Sequence, residues 1–154
     1  MTIWVDADSC PVRVREIIAR AAFRLSLPTI FVANRDIPIK KNEFVSSVVT
    51  SSKEQSADAH IISSALEGDL VITRDIPLAA QLVDKDIAVI NDRGAEFEKE
   101  SVKERLSIRN FMYEAHLFGI VEEKVGQFGK KDVQKFSATF DRVLTRLMRQ
   151  SPSR

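Results

Sequence analysis

Four aspartates stand where short apolar runs end or helical patterns begin. Asp6 and Asp8 follow the run Ile3-Trp4-Val5, and Asp75 follows Leu70-Val71-Ile72. Asp58 precedes Ile61, Ile62, Ala65 and Leu66 at offsets of three, four, seven and eight, the spacing of one helix face. Brought to one mouth, four carboxylates repel one another strongly, so they need protons or a bound cation. Oxygen donors with no thiolate or histidine cluster suit Mg²⁺ or Mn²⁺ better than Zn²⁺. Such an ion activates water and stabilises charge building on a phosphoryl oxygen, and two ions clamp the attacking and leaving oxygens. Asp6, Asp8, Asp58 and Asp75 are therefore the expected catalytic and metal-binding residues. Each has a structural alternative. Asp8 with Ser9 could cap the first helix, Asp58 could cap another, and Asp75 could serve the turn before Pro77.

Whether these acids meet depends on the elements that carry them. Ile3 to Val5 reads as a buried strand with Asp6 at its carboxyl end, and Val14, Ile17, Ile18, Ala21, Ala22 and Leu25 predict a helix entered through Pro11. Thr29 to Ala33, Phe44 to Thr50, Leu70 to Ile72 and Ile87 to Ile90 read as four further strands. Helices are predicted from about Asp58 to the stop at Gly68, from Pro77 through Val83, over Val102 to Phe118 and over Asp132 to Met148. Short apolar strands alternating with helices predict a three-layer α/β/α domain with a mainly parallel sheet and a central first strand, extended by the two C-terminal helices within one domain of residues 1–154. Ligands of open α/β sheets collect at the carboxyl ends of the strands, where these acids fall. One solvent-reachable cleft holding all four acids, with Asn34 and Thr73 at its edge, is the expected site.

Composition narrows the function classes. A chain of 154 residues with 44% apolar content can bury a core, and its lone Cys10 cannot form an internal disulfide. No apolar stretch approaches the roughly 20 residues that cross a bilayer, and the first residues lack a secretory pattern, so a cytoplasmic protein with no membrane partner is expected. Residues 1–97 hold 11 Lys and Arg against 14 Asp and Glu, and residues 98–154 hold 12 against 8, an acidic front and a basic back within a net charge of +1. That asymmetry fits a phosphate-bearing partner beside an acidic site. Arg13, Arg93 and Arg109 are candidate phosphate contacts and Asn34 a candidate ligand-positioning group, with solvated surface groups as the alternative. Cys10 reads as packing, His60 and His116 have no metal-ligand spacing, and Trp4 and the Phe residues read as core rather than as base-stacking platforms. No dinucleotide or phosphate-binding Gly-rich loop occurs.

The segments WVDADSCPVRVREII, FVAN, SADAHIISSALEGDLVITRDIPLAA and NDRG, followed by ERLSIRNFM, resemble the YaiI/YqxD family of bacterial proteins over nearly the whole chain. That resemblance implies a PIN-like fold related to the PIN and NYN ribonucleases. The wider pattern carries over residue by residue: Asp6 looks like the acid ending the first strand, Asp58 like the acid opening a helix, and Thr73 with Asp75 like the T-x-D signature. The chain departs from the pattern at Gln55, where the family often has a further Asp, at Asp92, where it commonly has Pro, and at Glu122 to Gly126, in place of Gly-Gly-Pro. No Glu lies where many PIN nucleases carry one, and Asp8 is the available substitute. The expectation is divalent-metal-dependent hydrolysis of phosphodiesters, with RNA as substrate. One alternative is a PIN-like module that binds RNA or nucleotides without turnover. Another is a haloacid-dehalogenase-like phosphatase, because Val5-Asp6-Ala7-Asp8 resembles its Asp-x-Asp pair, with Thr50 and Lys85 as its further residues.

Overall fold

Strand and helix alternate along the chain in the order β1 (Ile3–Asp6), α1 (Val12–Leu25), β2 (Thr29–Ala33), β3 (Val45–Val49), α2 (Ser56–Ser64), β4 (Leu70–Ile72), α3 (Ile76–Asp84), β5 (Ala88–Ile90), β6 (Glu96–Phe97), α4 (Lys99–Leu117) and α5 (Lys130–Gln150). The computed structural model describes residues 1–53, 56–117 and 127–150; Gln55, Glu122 to Gly126 and the side chain of His116 lie outside the described residues. Among the described residues no helix is long and apolar enough to cross a membrane.

The six strands form one sheet in the order β3-β2-β1-β4-β5-β6, parallel except for the antiparallel β5–β6 pair. β1 is interior, as expected, hydrogen-bonded to β2 on one side and β4 on the other. From β1 the chain winds outward through β2 to β3, then returns and winds the other way through β4 and β5. The reversal falls between β1 and β4, and a crevice opens at the carboxyl ends of the strands at such a switch point.

The period of two along each strand divides the core between the two faces. Ile3 and Val5, Phe31, Leu70 and Ile72 pack with Val14, Ile18 and Ala22 of α1 and Phe136, Phe140 and Val143 of α5. Trp4, Val32, Val71 and Val89 point the other way, against Ile61 of α2, Leu78 and Leu82 of α3 and Val102 of α4. Strands covered on both faces carry near-continuous apolar runs, which is why they stood out in the sequence. The architecture is therefore three-layer α/β, and the second of the two C-terminal helices supplies part of one layer.

Several boundaries differ from the sequence expectation. β6 went unrecognised because two residues carry no period, and α2 starts at Ser56 rather than Asp58. α1 is entered through an extended Pro11 with no side-chain cap, so the capping alternative for Asp8 and Ser9 does not hold. After β5, Asn91 Oδ1 accepts the backbone N–H of Arg93 (3.0 Å) and Ala95 (2.9 Å), closing a tight turn. Gly94 in that turn has φ +86, and a Cβ there would stand 2.5 Å from the Lys135 carbonyl oxygen of α5, so only glycine fits.

Candidate active site

Asp6 is the last residue of β1, and alternation from Trp4 sends its side chain toward the layer of α2 and α3. One Oδ2 of its buried carboxylate accepts the Thr73 hydroxyl at 2.8 Å, and the same Thr73 oxygen accepts the Asp75 N–H at 3.0 Å. Thr73 is thus not at the rim of the site: it is 2% exposed and ties the ends of β1 and β4 together. Asp75 is the N-cap of α3, its Oδ1 accepting the Leu78 N–H at 3.0 Å, so the structural alternative offered for it is also true. A carboxylate at a helix N-terminus is stabilised by the helix dipole, yet only one of its oxygens is occupied by the cap.

Asp58 lies in the first turn of α2. Asn34, just past β2, places that helix: its Oδ1 accepts the Ser56 hydroxyl (3.0 Å), the Thr50 hydroxyl (3.2 Å) and the Ala57 N–H (3.3 Å). The Asn34 backbone N–H in turn donates to Asp8 Oδ2 at 2.9 Å, and the exposed Arg35 approaches Asp8 Oδ1 at 3.8 Å. Asp8 therefore joins the ends of β1 and β2, and the amide oxygen of Asn34 is spent on positioning Asp58.

These residues meet. Asp6, Asp8, Asp58 and Asp75 line one open cleft of about 400 Å³ with Ser9, Asn34, Ala57, Arg74 and Arg109. Burial, helped by neighbouring Asp75 and Asp6 and by a hydrogen bond shared with Asp75, pushes the Asp58 carboxyl up to about 7. Burial also raises Asp6, against the Thr73 hydrogen bond that lowers it and with Asp75 and Asp8 adding to the rise. Crowded carboxylates thus retain a proton where solvated ones would not. Among the described residues, however, no group of three or more His, Cys, Asp or Glu side chains is arranged to hold a metal ion.

The expected phosphate contacts divide. Arg109 lines the cleft. Arg13 is exposed on α1 and is not among the lining residues. Arg93 faces α5, 3.6 Å from Asp132 and 5.8 Å from the Phe128 ring centroid, so its place is in the β5–β6 turn and not at the acids. Arg74 was not singled out from the sequence. It lines the cleft and pairs with the buried Asp92, and its position between Thr73 and Asp75 was the available signal. Lys85 C-caps α3, ten residues along the helix from its N-cap Asp75, roughly 15 Å away, which removes it from any phosphatase site with Asp6. Cys10 is buried and burial pushes its thiol up to about 12, in keeping with packing. Trp4, Phe31, Phe97, Phe136 and Phe140 are core as expected, whereas Phe23 and Phe111 are exposed.

The sheet order and the acids at its reversal define an α/β protein with a carboxylate-lined cleft at the carboxyl ends of β1 and β4. Sequence comparison supplies the particular family. The model of the family described as "Uncharacterized BCR, YaiI/YqxD family" matches residues 4–146, and the chain belongs to that family. It is 55% identical to a UPF0178 protein of Treponema denticola over 97% of this chain and 96% of that protein. It is 45% identical to a UPF0178 protein of Myxococcus xanthus over 99% of each. No solved structure matches the chain.

Proposed function

We propose that the cleft hydrolyses phosphodiester bonds, with RNA as substrate and Mg²⁺ or Mn²⁺ as cofactor. The observation that carries this reading is the convergence of Asp6, Asp8, Asp58 and Asp75 on one open cleft, with Asp58 held up to about 7 beside Asp75. A shared proton between two carboxyls marks a place where a divalent cation would relieve more charge than the proton does. The donor set fits: it is all oxygen, and Mg²⁺ is commonly bound through one or two carboxylates while water and substrate phosphate complete its shell, so a three-residue group need not exist beforehand. Asp58 and Asp75 would hold the ion, with Asp6 and Asp8 beside them. When bound, it supplies charge neutralisation and an activated water.

The chain's own groups account for the rest. Thr73 fixes Asp6 and the backbone of Asp75 through one oxygen, and Asn34 fixes the helix that carries Asp58. Arg74 and Arg109 offset the repulsion between the acids and an incoming phosphate. The likeness of Asp6, Asp58 and Thr73-Arg74-Asp75 to the PIN pattern agrees with this assignment. No histidine or cysteine is needed, and neither His60 nor Cys10 lines the cleft.

The two guanidiniums at the cleft, Arg74 and Arg109, serve equally a second reading, a module that binds RNA or nucleotides without turnover. One assay separates them. Purified protein with Mn²⁺ is given single-stranded RNA, single-stranded DNA and simple phosphate esters. Cleavage that disappears in Asp6→Asn and Asp75→Asn, with binding kept or strengthened, supports hydrolysis. Cleavage undiminished in both variants removes the acids from catalysis, and no cleavage of any substrate leaves the binding module.

A further inference from the structure

The second half of α4 presents exposed side chains. Up to Leu106 the helix lies against α3, with Val102 buried and the Arg105 guanidinium 5.2 Å over the Phe97 ring. From Ser107 to Tyr113 every residue is exposed, and this stretch includes Ile108, Phe111, Met112 and Tyr113. Residues three and four apart share a helix face, so the stripe begun by Val102 and Arg105 continues through Arg109 to Tyr113. Phe111 and Ile108 turn away from that stripe. Arg109 lines the acid cleft, and its guanidinium lies 5.7 Å from the Tyr113 ring centroid. A cation and then an aromatic ring therefore lead outward from the acids along one face.

We propose that Arg109 and Tyr113 form a platform for an unpaired base of a single-stranded polynucleotide whose backbone passes the acid cleft. The inference rests on the phosphodiesterase reading and adds the part of the substrate that reading leaves unassigned. A guanidinium beside an exposed ring serves a strand in two ways: it attracts the phosphates, and with the ring it offers a flat surface to any base. Continuity with the cleft and the Arg109 guanidinium beside the ring select this occupant over a protein, which would be expected to cover Phe111 and Ile108 on the other face. A duplex keeps its base faces inside its own stack, so the platform discriminates against paired strands.

The test measures binding apart from cleavage. Fluorescence anisotropy of a labelled twelve-nucleotide RNA, the matching DNA strand and the RNA duplex is followed with full-length protein in EDTA. Tyr113→Ala is expected to weaken single-strand binding about tenfold, Tyr113→Phe to stay within about twofold of wild type, and Phe111→Ala to leave it unchanged. The duplex is expected to bind more weakly than either single strand and to ignore Tyr113→Ala. Equal single-strand affinity of wild type and Tyr113→Ala overturns the proposal. So does a dimer in light scattering that Phe111→Ala dissolves while Tyr113→Ala leaves RNA affinity intact, which assigns this helix to a second copy. Cleavage in Mn²⁺ that is lost in Asp6→Asn but normal in Tyr113→Ala, with unaltered affinity, removes the platform and spares hydrolysis. The tenfold loss in a protein with no cleavage retains the platform and removes hydrolysis.

Discussion

Two buried aspartates at opposite ends of the sheet live in opposite surroundings. Asp69, before β4 at the amino ends of the strands, is 7% exposed and accepts three N–H groups: Thr2 N at 2.8 Å, Leu66 N at 3.0 Å and the Trp4 indole at 3.1 Å. Asp6, at the carboxyl end of β1, is 9% exposed, accepts one hydroxyl and faces Asp75, Asp8 and Asp58. Burial is nearly the same, so burial does not distinguish a latch from a site. The company does: one carboxylate is surrounded by donors, the other by its own kind. Glu96 sits with the first group, because the hydrogen bonds from Arg146 (2.6 Å) and Arg142 (3.1 Å) outweigh the effect of burial and hold it below its ordinary value.

The largest effect should come from removing the latch. Asp69→Ala strands the Trp4 indole N–H and two backbone N–H groups, and is expected to cost about 3 kcal/mol in urea denaturation. Asp6→Asn, which removes a repelled charge, should leave stability unchanged or raise it. Equal losses in the two variants would erase the contrast between the two ends.

Next in size is the effect of a cation. If the cleft binds Mg²⁺ or Mn²⁺ as proposed, the ion displaces the proton that Asp58 holds up to about 7, so it should raise Tm more at pH 8 than at pH 6 and release protons on binding at pH 6. Calorimetry in two buffers of different ionisation enthalpy measures that release. Asp75→Asn should abolish both signals, and a pH-independent rise in Tm would place the ion elsewhere.

The smallest effect is the pH dependence of the metal-free protein. Asp58 is raised in the folded state from 3.8 to about 7, so between those values the native form holds a proton that the unfolded chain has lost. Stability should therefore fall as pH rises from about 4 to 7. Glu96 has the opposite sign: its contribution is present above its unfolded value of 4.5 and is lost as pH falls below it. Asp58→Asn should flatten the upper slope and add about 1 kcal/mol at pH 8, allowing for solvent screening of a half-buried group, while leaving the acid side as it was.

The convergence of Asp6, Asp58 and Asp75 was readable in the sequence because it depends on a regular feature, the carboxyl ends of parallel strands whose two buried faces make them apolar throughout. What sequence missed depends on partners far along the chain. The sequence expectation starts α2 two residues late, because the Ala57 N–H and the Ser56 hydroxyl find their acceptor in Asn34 at β2's exit, more than twenty residues back, where no local pattern shows it. Asp8 reaches the cleft expected of it, but its local alternative, a helix cap, gives way to a partner 26 residues on, the Asn34 N–H at that same exit. Arg13 and Arg93 share their charge with Arg74 and Arg109, and charge carries no direction; only the fold decides which guanidinium reaches the acids. β6, two residues long, is defined by its pairing with β5 and not by any pattern of its own.

β1 is flanked by strands from different parts of the chain, β2 immediately after it and β4 more than sixty residues later. During synthesis β1, α1, β2 and β3 emerge well before Leu70 to Asp75. Asp6 is then an edge residue open to water, with neither Thr73 nor Asp75 beside it. The repulsion that Asp75 adds to Asp6 and Asp58 arises only when β4 docks, after the neighbouring half of the sheet can already be in place. If β4 docks after nucleation, changes at Asp75 should alter the unfolding rate far more than the folding rate, which a chevron plot of Asp75→Asn measures.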